Sequence, residues 1–218
     1  MSETARGEAR VAQTVFIVDD DPSICEGLAN LLESVGILTE TFPSAEAFKD
    51  NWSREDAGCL LLDVRLPGMS GVVFQEQMRA TGIDLPIIFM TAHGDIAMVR
   101  KVMKAGAIEF LTKPFQREEL LKAVKEAFAL DRAKRAVDDN LRSVRAHIDS
   151  LSPREREVMV MVTAGLLNKQ IAAELNLSEI MVKTHRRHMM EKMQANSLAD
   201  LVKICERAQE PAWRGPRS

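Results

Sequence analysis

The stretch VFIVDDD, residues 15–21, joins four consecutive apolar side chains to three acidic ones and decides the fold. A short apolar run that ends in aspartates is typical of a strand buried on both faces of a parallel sheet. Further strand candidates lie at 38–42, 60–62, 87–90 and 110–111, and helical patterns separate them at 22–35, 44–50, 70–80, 95–105 and from 116 onward. Five alternations of strand and helix predict an α/β doubly wound, five-stranded parallel sheet with right-handed crossovers.

Polar residues stand where these predicted strands end. Asp19 and Asp20 follow the first strand, Asp63 ends the third, Thr91 ends the fourth and Lys113 ends the fifth. Because ligands bind at the carboxyl ends of parallel strands, we expect these side chains to meet at one edge. Crowded carboxylates repel one another unless a cation neutralises them, and hard oxygen ligands suit Mg²⁺. Asp63 is then the candidate nucleophile for a phosphoryl group, with Lys113 and Thr91 holding its oxygens.

An apolar seam continues from the last predicted helix of this region. Apolar residues recur at alternating spacings of four and three, with Lys134 inside the seam, and no Gly or Pro interrupts the stretch before Pro153. The seam comprises Ala123, Ala127, Leu130, Val137, Leu141, Val144, Ile148 and Leu151. The pattern predicts a long linker helix that packs in a coiled coil or on a neighbouring domain. A single amphipathic helix lying on its own domain explains the pattern equally well.

Residues 152–207 are predicted to be entirely helical. Ser152 is a suitable helix cap, Pro153 takes the first helical position and Glu155 follows three residues after the cap. Four helices fit, at about 153–164, 168–175, 179–193 and 197–207, with Ser178 as the cap of the third. Earlier in the chain, Asp21 directly precedes a proline and is likewise expected to cap a helix. The predicted architecture is therefore a parallel-sheet domain followed by an all-α, four-helix domain.

The second and third of these helices have the spacing of a helix-turn-helix, separated by Asn-Leu-Ser at 176–178. The third helix presents Lys183, Thr184 and Arg187 outward, together with Arg186 and His188. Basic and hydroxyl side chains on this face suit the edges of bases in the DNA major groove. The alternative explanation of the same pattern is a solvated charged face.

Charge is divided unevenly along the chain. Residues 1–130 carry 13 basic and 20 acidic side chains, whereas residues 151–218 carry 11 basic and 8 acidic ones. The acidic part suits cation or phosphate chemistry, and the basic part suits a polyanionic partner. No apolar run approaches the roughly 20 residues that cross a bilayer, and the polar N-terminus does not resemble a secretion signal, so we expect a cytoplasmic protein without membrane contact.

The motifs VDDD, LLLDVRLPGMSG, TAHGD and the Lys-Pro-Phe after FLT together resemble the receiver domain of two-component response regulators. Residues 151–193 resemble the LuxR-type helix-turn-helix of the NarL/FixJ family, and within it the FixJ-like and styrene-pathway-type regulators. The resemblance implies an N-terminal tail at 1–13, a receiver at 14–130, a helical linker at 131–150, a DNA-binding domain at 151–207 and a flexible tail at 208–218.

For the receiver, the resemblance implies that a sensor histidine kinase phosphorylates Asp63 and that Lys113 and Thr91 grip the phosphate. It implies a Mg²⁺ cofactor held by Asp19, Asp20, Asp63 and the backbone carbonyl of Arg65. Phe110 matches the aromatic switch position, and since the chain contains no Tyr it can act there only by packing. A cis bond is expected between Lys113 and Pro114.

For the helical domain, matching the family motif makes Lys183, Thr184 and Arg187 candidates for reading bases. Arg186, Asn168 and Lys169 are better placed for phosphates. Ile180 and Met181 stand where the family commonly has a polar pair. Apolar residues there either weaken a backbone contact or read a methyl group.

The expected function is phosphorylation-dependent regulation of transcription. The expected partners are a sensor histidine kinase, double-stranded promoter DNA, RNA polymerase and a second copy of the chain, which pairs on phosphorylation or through the linker helix. We expect no multiple-turnover catalysis on an external substrate. Two alternatives are a phosphatase or phosphotransferase that uses Asp63 as its nucleophile, and a regulator that its linker helix keeps dimeric without phosphate.

Overall fold

The computed structural model describes residues 12–92, 103 and 106–208. The chain divides into two compact units, residues 1–134 and residues 135–218, each with its own apolar core. None of the helices in the described ranges is long and apolar enough to cross a membrane.

The first unit is built on a sheet of five parallel strands in the order β2-β1-β3-β4-β5. The strands are β1 Gln13–Val18, β2 Leu38–Phe42, β3 Ala57–Asp63, β4 Ile87–Thr91 and β5 Glu109–Thr112. The helices in the described part of this unit are α1 Pro22–Glu33, α2 Ala45–Asn51, α3 Gly71–Ala80 and the first part of α4, Arg117–Asp149. This strand order is the flavodoxin-like one, so the predicted doubly wound sheet is confirmed. The helix predicted at 95–105 falls mainly on residues outside the described part.

Both faces of the sheet are covered, because alternate residues of each strand point to opposite sides. On one face Phe16, Leu60 and Phe89 pack with Phe48 of α2 and Phe74 of α3. The other face packs against α1 and α4 through a second set of strand residues, namely Val15, Ile17, Cys59, Leu61, Ile88 and Met90. Every residue of β3 is buried. The continuous apolar runs of the sequence therefore correspond to strands enclosed by helices on both sides.

Strands β1 and β3 each begin two or three residues earlier than predicted, because α4 supplies a partner for their first residues. Asp131 of α4 is only 3% exposed. Its Oδ2 accepts hydrogen bonds from the backbone N–H of Gly58 at 3.0 Å and from Gln13 Nε2 at 3.2 Å. Gly58 has a φ of 147°, and a Cβ there would lie 1.8 Å from the carbonyl oxygen of Thr14. The close strand pairing at this end of the sheet thus requires glycine.

The long helix predicted after residue 116 is confirmed as α4, a continuous helix of 33 residues. The residues of its apolar seam are not all buried. Ala123 and Ala127 are buried in the first unit, and Val144 is buried in the second. Leu130 and Val137, between them, are 52% and 60% exposed. The two ends of the seam are therefore core residues, while pairing of its middle with a second copy stays a prediction.

Up to residue 208, where the described part ends, the second unit consists of the end of α4 and four further helices: α5 Pro153–Thr163, α6 Asn168–Leu175, α7 Glu179–Lys192 and α8 Leu198–Ala208. Ser152 and Glu155 form the predicted capping box, and Ser178 accepts a hydrogen bond from the backbone of Met181. Asn176 ends α6 in the left-handed conformation, with φ 53°, and so makes the turn into α7. The all-α, four-helix prediction is confirmed.

Candidate functional site

The fold brings three charged residues together at the carboxyl edge of the sheet. Asp19 follows β1 and is 2% exposed, and Asp63 ends β3 and is 7% exposed. The Nζ of Lys113, directly after β5, lies 2.6 Å from Asp19 Oδ2 and 2.8 Å from Asp63 Oδ1. One ammonium group therefore bridges two buried carboxylates that are far apart in the sequence.

The remaining carboxylate oxygens at this edge accept hydrogen bonds from the backbone. Asp63 Oδ2 accepts from the N–H of Arg65 at 2.5 Å, and Asp19 Oδ1 accepts from the N–H of Asp21 at 3.0 Å. The side chain of Asp21 caps α1 as predicted, since it accepts from the backbone of Ser23 at 2.9 Å. The orientation of both buried carboxylates is thus fixed by the ammonium group that they share and by one backbone N–H donor for each.

The pKa of Lys113 reflects this arrangement. Burial alone would lower the pKa of its ammonium group, but the hydrogen bonds and charges of Asp19 and Asp63 more than offset that effect, so the pKa lies above its ordinary value. The ammonium is therefore charged at neutral pH. It offsets one of the two negative charges at the site.

Thr91 and Phe110 lie on the neighbouring strands. Thr91 is the last residue of β4 and is fully buried, and its carbonyl oxygen accepts the backbone N–H of Lys113 at 2.7 Å. Phe110 is opposite Phe89 in the β4–β5 register, is partly buried and packs on the core. The bond between Lys113 and Pro114 is cis, as expected. Thr91 and Lys113 are therefore joined through their backbones at the edge where Asp63 lies.

The oxygen atoms available as metal ligands at this edge suit a hard cation. Asp19 and Asp63 supply buried carboxylate oxygens, whereas Asp20 and Arg65 are exposed. Within residues 12–92, 103 and 106–208, no three His, Cys, Asp or Glu side chains form a metal-binding group by themselves. Mg²⁺ commonly keeps several waters and needs only one or two carboxylates from a protein, so the residues present fit it. The ammonium of Lys113 lies between the two carboxylates and would compete with such a cation.

The helix-turn-helix of the second unit is formed by α6 and α7. Lys183, Thr184 and Arg187 are exposed on α7, while Val182 and Met189 are buried in the core. Thr184 Oγ1 donates to the carbonyl oxygen of Ile180 at 3.0 Å. The predicted division of α7 into a buried apolar face and an exposed basic face is therefore present.

The predicted phosphate-contacting residues lie at the start of α6 and on α7. Arg186 is partly buried, and its Nη1 donates to Asn168 Oδ1 at 3.1 Å. Lys169 is exposed at the next position of α6. The hydrogen bond of Arg186 fixes the beginning of α6 beside α7. Asn168 and Arg186 thus form a pair, while Lys169 extends separately toward solvent.

Sequence reasoning missed the ion pair that fixes the end of α7. Glu155 is 5% exposed, and its Oε2 lies 2.6 Å from Lys192 Nζ, which also donates to the carbonyl oxygen of Ser150 at 3.2 Å. His188 Nδ1 lies 4.0 Å from the other oxygen of Glu155. Burial tends to raise the pKa of Glu155, but hydrogen bonds from Lys192 and Ser152 outweigh it and leave the pKa below its ordinary value. The only sequence signal was the capping pattern, which identified Glu155 but not its partner.

Comparisons with known proteins cover both units. A family model of the response regulator receiver domain matches residues 15–125, and a model of bacterial regulatory proteins of the luxR family matches residues 149–205. Nodulation protein W of Bradyrhizobium diazoefficiens is 46% identical over 199 residues, which cover 91% of this chain and 88% of that protein. The transcriptional regulatory protein FixJ of the same organism is 38% identical over 194 residues, which cover 89% and 95% of the two chains.

A solved structure of the response regulator StyR shares the fold over most of the chain. It superposes with a TM-score of 0.82 at 47% identity, and the match covers 89% of this chain and 98% of StyR. The proteins that combine these two domains include transcription regulators, with a histidine kinase and DNA as the implied partners and Mg²⁺ as the usual receiver cation. The chain therefore belongs to the two-component response regulators in which a receiver domain is joined to a LuxR-type helix-turn-helix, and it is a phosphorylation-dependent, DNA-binding regulator of transcription.

Proposed function

We propose that Asp63 is the phosphoacceptor and that its phosphorylation by a sensor histidine kinase controls promoter binding by α7. The observation that carries this proposal is the ammonium of Lys113, which bridges Asp63 and Asp19 at the carboxyl edge of the sheet. We further propose a receiver at 14–130, a helical linker at 131–150 and a DNA-binding domain at 151–207, flanked by tails at 1–13 and 208–218. Residues 1–11 and 209–218 of those tails lie outside the described residues.

In the transfer, a carboxylate oxygen of Asp63 attacks the phosphorus of a phosphohistidine. The phosphorus–nitrogen bond breaks, the imidazole nitrogen leaves with its electron pair, and an acyl phosphate forms on Asp63. Lys113 then exchanges its contact with the carboxylate for one with a phosphoryl oxygen, because the phosphoryl group carries about −1.5 to −2 charges at neutral pH. The hydroxyl of Thr91 donates to a second phosphoryl oxygen.

Asp19, Asp20, Asp63 and the backbone carbonyl of Arg65 would hold the Mg²⁺ ion. When bound, the ion supplies positive charge that stabilises the phosphoryl oxygens during transfer. Asp19 orients this group of ligands, since one of its oxygens is already held by the backbone N–H of Asp21.

Phosphorylation changes the surface of the receiver through Phe110. This side chain is only partly buried and packs on the core, so a shift of its ring when Thr91 is drawn toward the phosphate changes the surface. We propose that the altered surface pairs two receivers, which presents two helix-turn-helix units to half-sites about one DNA turn apart. The exposed middle of α4, at Leu130 and Val137, is a second surface through which two copies could pair.

At the promoter, Lys183, Thr184 and Arg187 contact base edges, and Arg186, Asn168 and Lys169 contact phosphates. These exposed or partly exposed side chains carry hydrogen-bond donors, and guanine edges and phosphate oxygens are hydrogen-bond acceptors. RNA polymerase is the downstream partner, and the cytoplasm is the compartment in which kinase, promoter and polymerase meet.

Phosphorylation of purified protein by a small-molecule phosphodonor with Mg²⁺ tests the proposal. We expect one phosphate per chain in the wild type and none in Asp63→Asn. The matched control is Asp21→Asn, at the same edge, which keeps the backbone N–H that Asp19 accepts and should keep its labelling. Undiminished labelling of Asp63→Asn would remove Asp63 from the mechanism, and continued release of product over many turnovers from a phosphate ester would identify an enzyme instead.

A further inference from the structure

Ile180 is an aliphatic side chain that the fold leaves almost entirely in solvent. It is the second residue of α7 and is 76% exposed, the highest value among the exposed large hydrophobic side chains of the described residues. Its position is well fixed, because Ser178 caps the helix and Val182, two residues on, is fully buried. The exposure of Ile180 is therefore imposed by the fold and is not the result of a loose chain end.

Ile180 lies in the same row of side chains as the proposed base-reading residues. Positions 180, 183, 184 and 187 are separated by three and four residues, so on a helix they share one face. The hydroxyl of Thr184 donates to the carbonyl oxygen of Ile180, which places the two residues on consecutive turns of that face. Lys183 and Arg187 supply positive charge further along the same face. The row thus begins with the apolar side chain of Ile180 and continues with side chains that are hydrogen-bond donors.

The chemistry of an isoleucine limits what it can contact in DNA. Its side chain has no hydrogen-bond donor, so it cannot hold a phosphate oxygen or the acceptors of guanine and adenine. The apolar group that bases display in the major groove is the 5-methyl group of thymine. In a helix-turn-helix, the first residues of the second helix are the ones that reach base edges.

We propose that Ile180 is a specificity residue that packs on the 5-methyl group of a thymine in each half-site. This inference rests on the proposed function, in which the exposed face of α7 reads bases. Removing one methyl group from such a contact costs about 0.8 kcal/mol, which corresponds to a loss of about fourfold in affinity.

The test uses the phosphorylated full-length protein and a duplex site selected from random sequences. Each thymine of the site is replaced in turn by deoxyuridine, which lacks only the methyl group. We expect one replacement in each half-site to weaken wild-type binding about fourfold. Ile180→Ala is expected to bind the thymine and deoxyuridine sites equally. Leu167→Ala removes another exposed aliphatic side chain, 70% exposed, that lies outside α7, and should keep the wild-type sensitivity.

Two results would overturn the inference about Ile180 alone. The first is a deoxyuridine effect that persists unchanged in Ile180→Ala, since another side chain would then contact the methyl group. The second is the absence of a deoxyuridine effect in the wild type while Arg187→Ala still weakens binding. If neither Arg187→Ala nor Lys183→Ala affected binding, the proposed function of α7 itself would fail, so the two failures are distinguishable.

Discussion

The ion pair between Glu155 and Lys192 predicts how the folding stability of the helical unit depends on pH. Glu155→Gln keeps the size of the side chain and an oxygen that can accept the N–H of Ser152, so it preserves the capping box. The substitution removes the negative charge that lies 2.6 Å from Lys192 Nζ. A hydrogen bond between charged groups contributes roughly 1.5–3 kcal/mol, and the Lys192 side chain is 40% exposed, so we expect a loss of about 1–2 kcal/mol of stability at pH 7.

The sign of the pH dependence follows from the lowered pKa of Glu155. Since the carboxylate ionises more readily in the folded state, its contribution is complete above the ordinary glutamate pKa of about 4.3. The contribution is lost as the pH falls through the lower pKa of the folded state. The difference in stability between wild type and Glu155→Gln should therefore be largest at neutral pH and should vanish in acid, below the folded pKa.

Urea titrations followed by the amide NMR signals of Val158 and Val182 measure this difference within the helical unit. The matched control is Glu157→Gln, because Glu157 is exposed and pairs with Arg154 on the surface at 2.8 Å. We expect that control to change stability by less than about 0.5 kcal/mol. A Glu155→Gln variant as stable as the wild type at pH 7, or equally destabilised at every pH, would refute the reasoning.

Three further substitutions test the receiver unit. Asp131→Ala should lower the free energy of unfolding of this unit by about 1–3 kcal/mol, because the buried N–H of Gly58 loses its 3.0 Å acceptor; a urea titration showing a loss below about 0.5 kcal/mol would contradict this. Lys113→Met should tighten Mg²⁺ binding by roughly 5- to 30-fold in calorimetry, since it removes a competing positive charge, and weaker binding would argue against competition. Gly71→Ala should slow phosphorylation of Asp63, because its Cβ would lie 2.5 Å from the Asp63 carbonyl oxygen; an unchanged rate of labelling would show that this loop tolerates displacement.

The carboxyl edge of the sheet was predictable because its residues follow directly from strand order. An apolar run that ends in Asp19 and another that ends in Asp63 identify both the strands and their ends, and parallel pairing then brings the ends together. What the pattern did not specify was how the charges are shared. That Lys113 contacts both carboxylates at once depends on the path of the chain after β5, which side-chain periodicity does not encode.

The residues that sequence reasoning missed share a physical cause. Asp131 and Lys192 are charged residues on helices, and charged residues on helices usually face solvent. Their partners, Gly58 and Glu155, lie 73 and 37 residues away in the sequence. Such contacts depend on tertiary packing, so the local sequence pattern does not predict them. The same limit applies to the apolar seam of α4, whose spacing predicted a helix but not which of its residues enter which core.

The bridging lysine also gives the resting receiver an internal counterion. A pocket that carried only carboxylates would need a metal ion from solution to relieve its own repulsion, and folding would then depend on how much of that ion the cell contains. Here the chain supplies the neutralising charge itself, at 2.6 and 2.8 Å from the two acids. The fold therefore does not rely on a bound metal ion to neutralise these two acids, because the ammonium of Lys113 is built into the chain that folds.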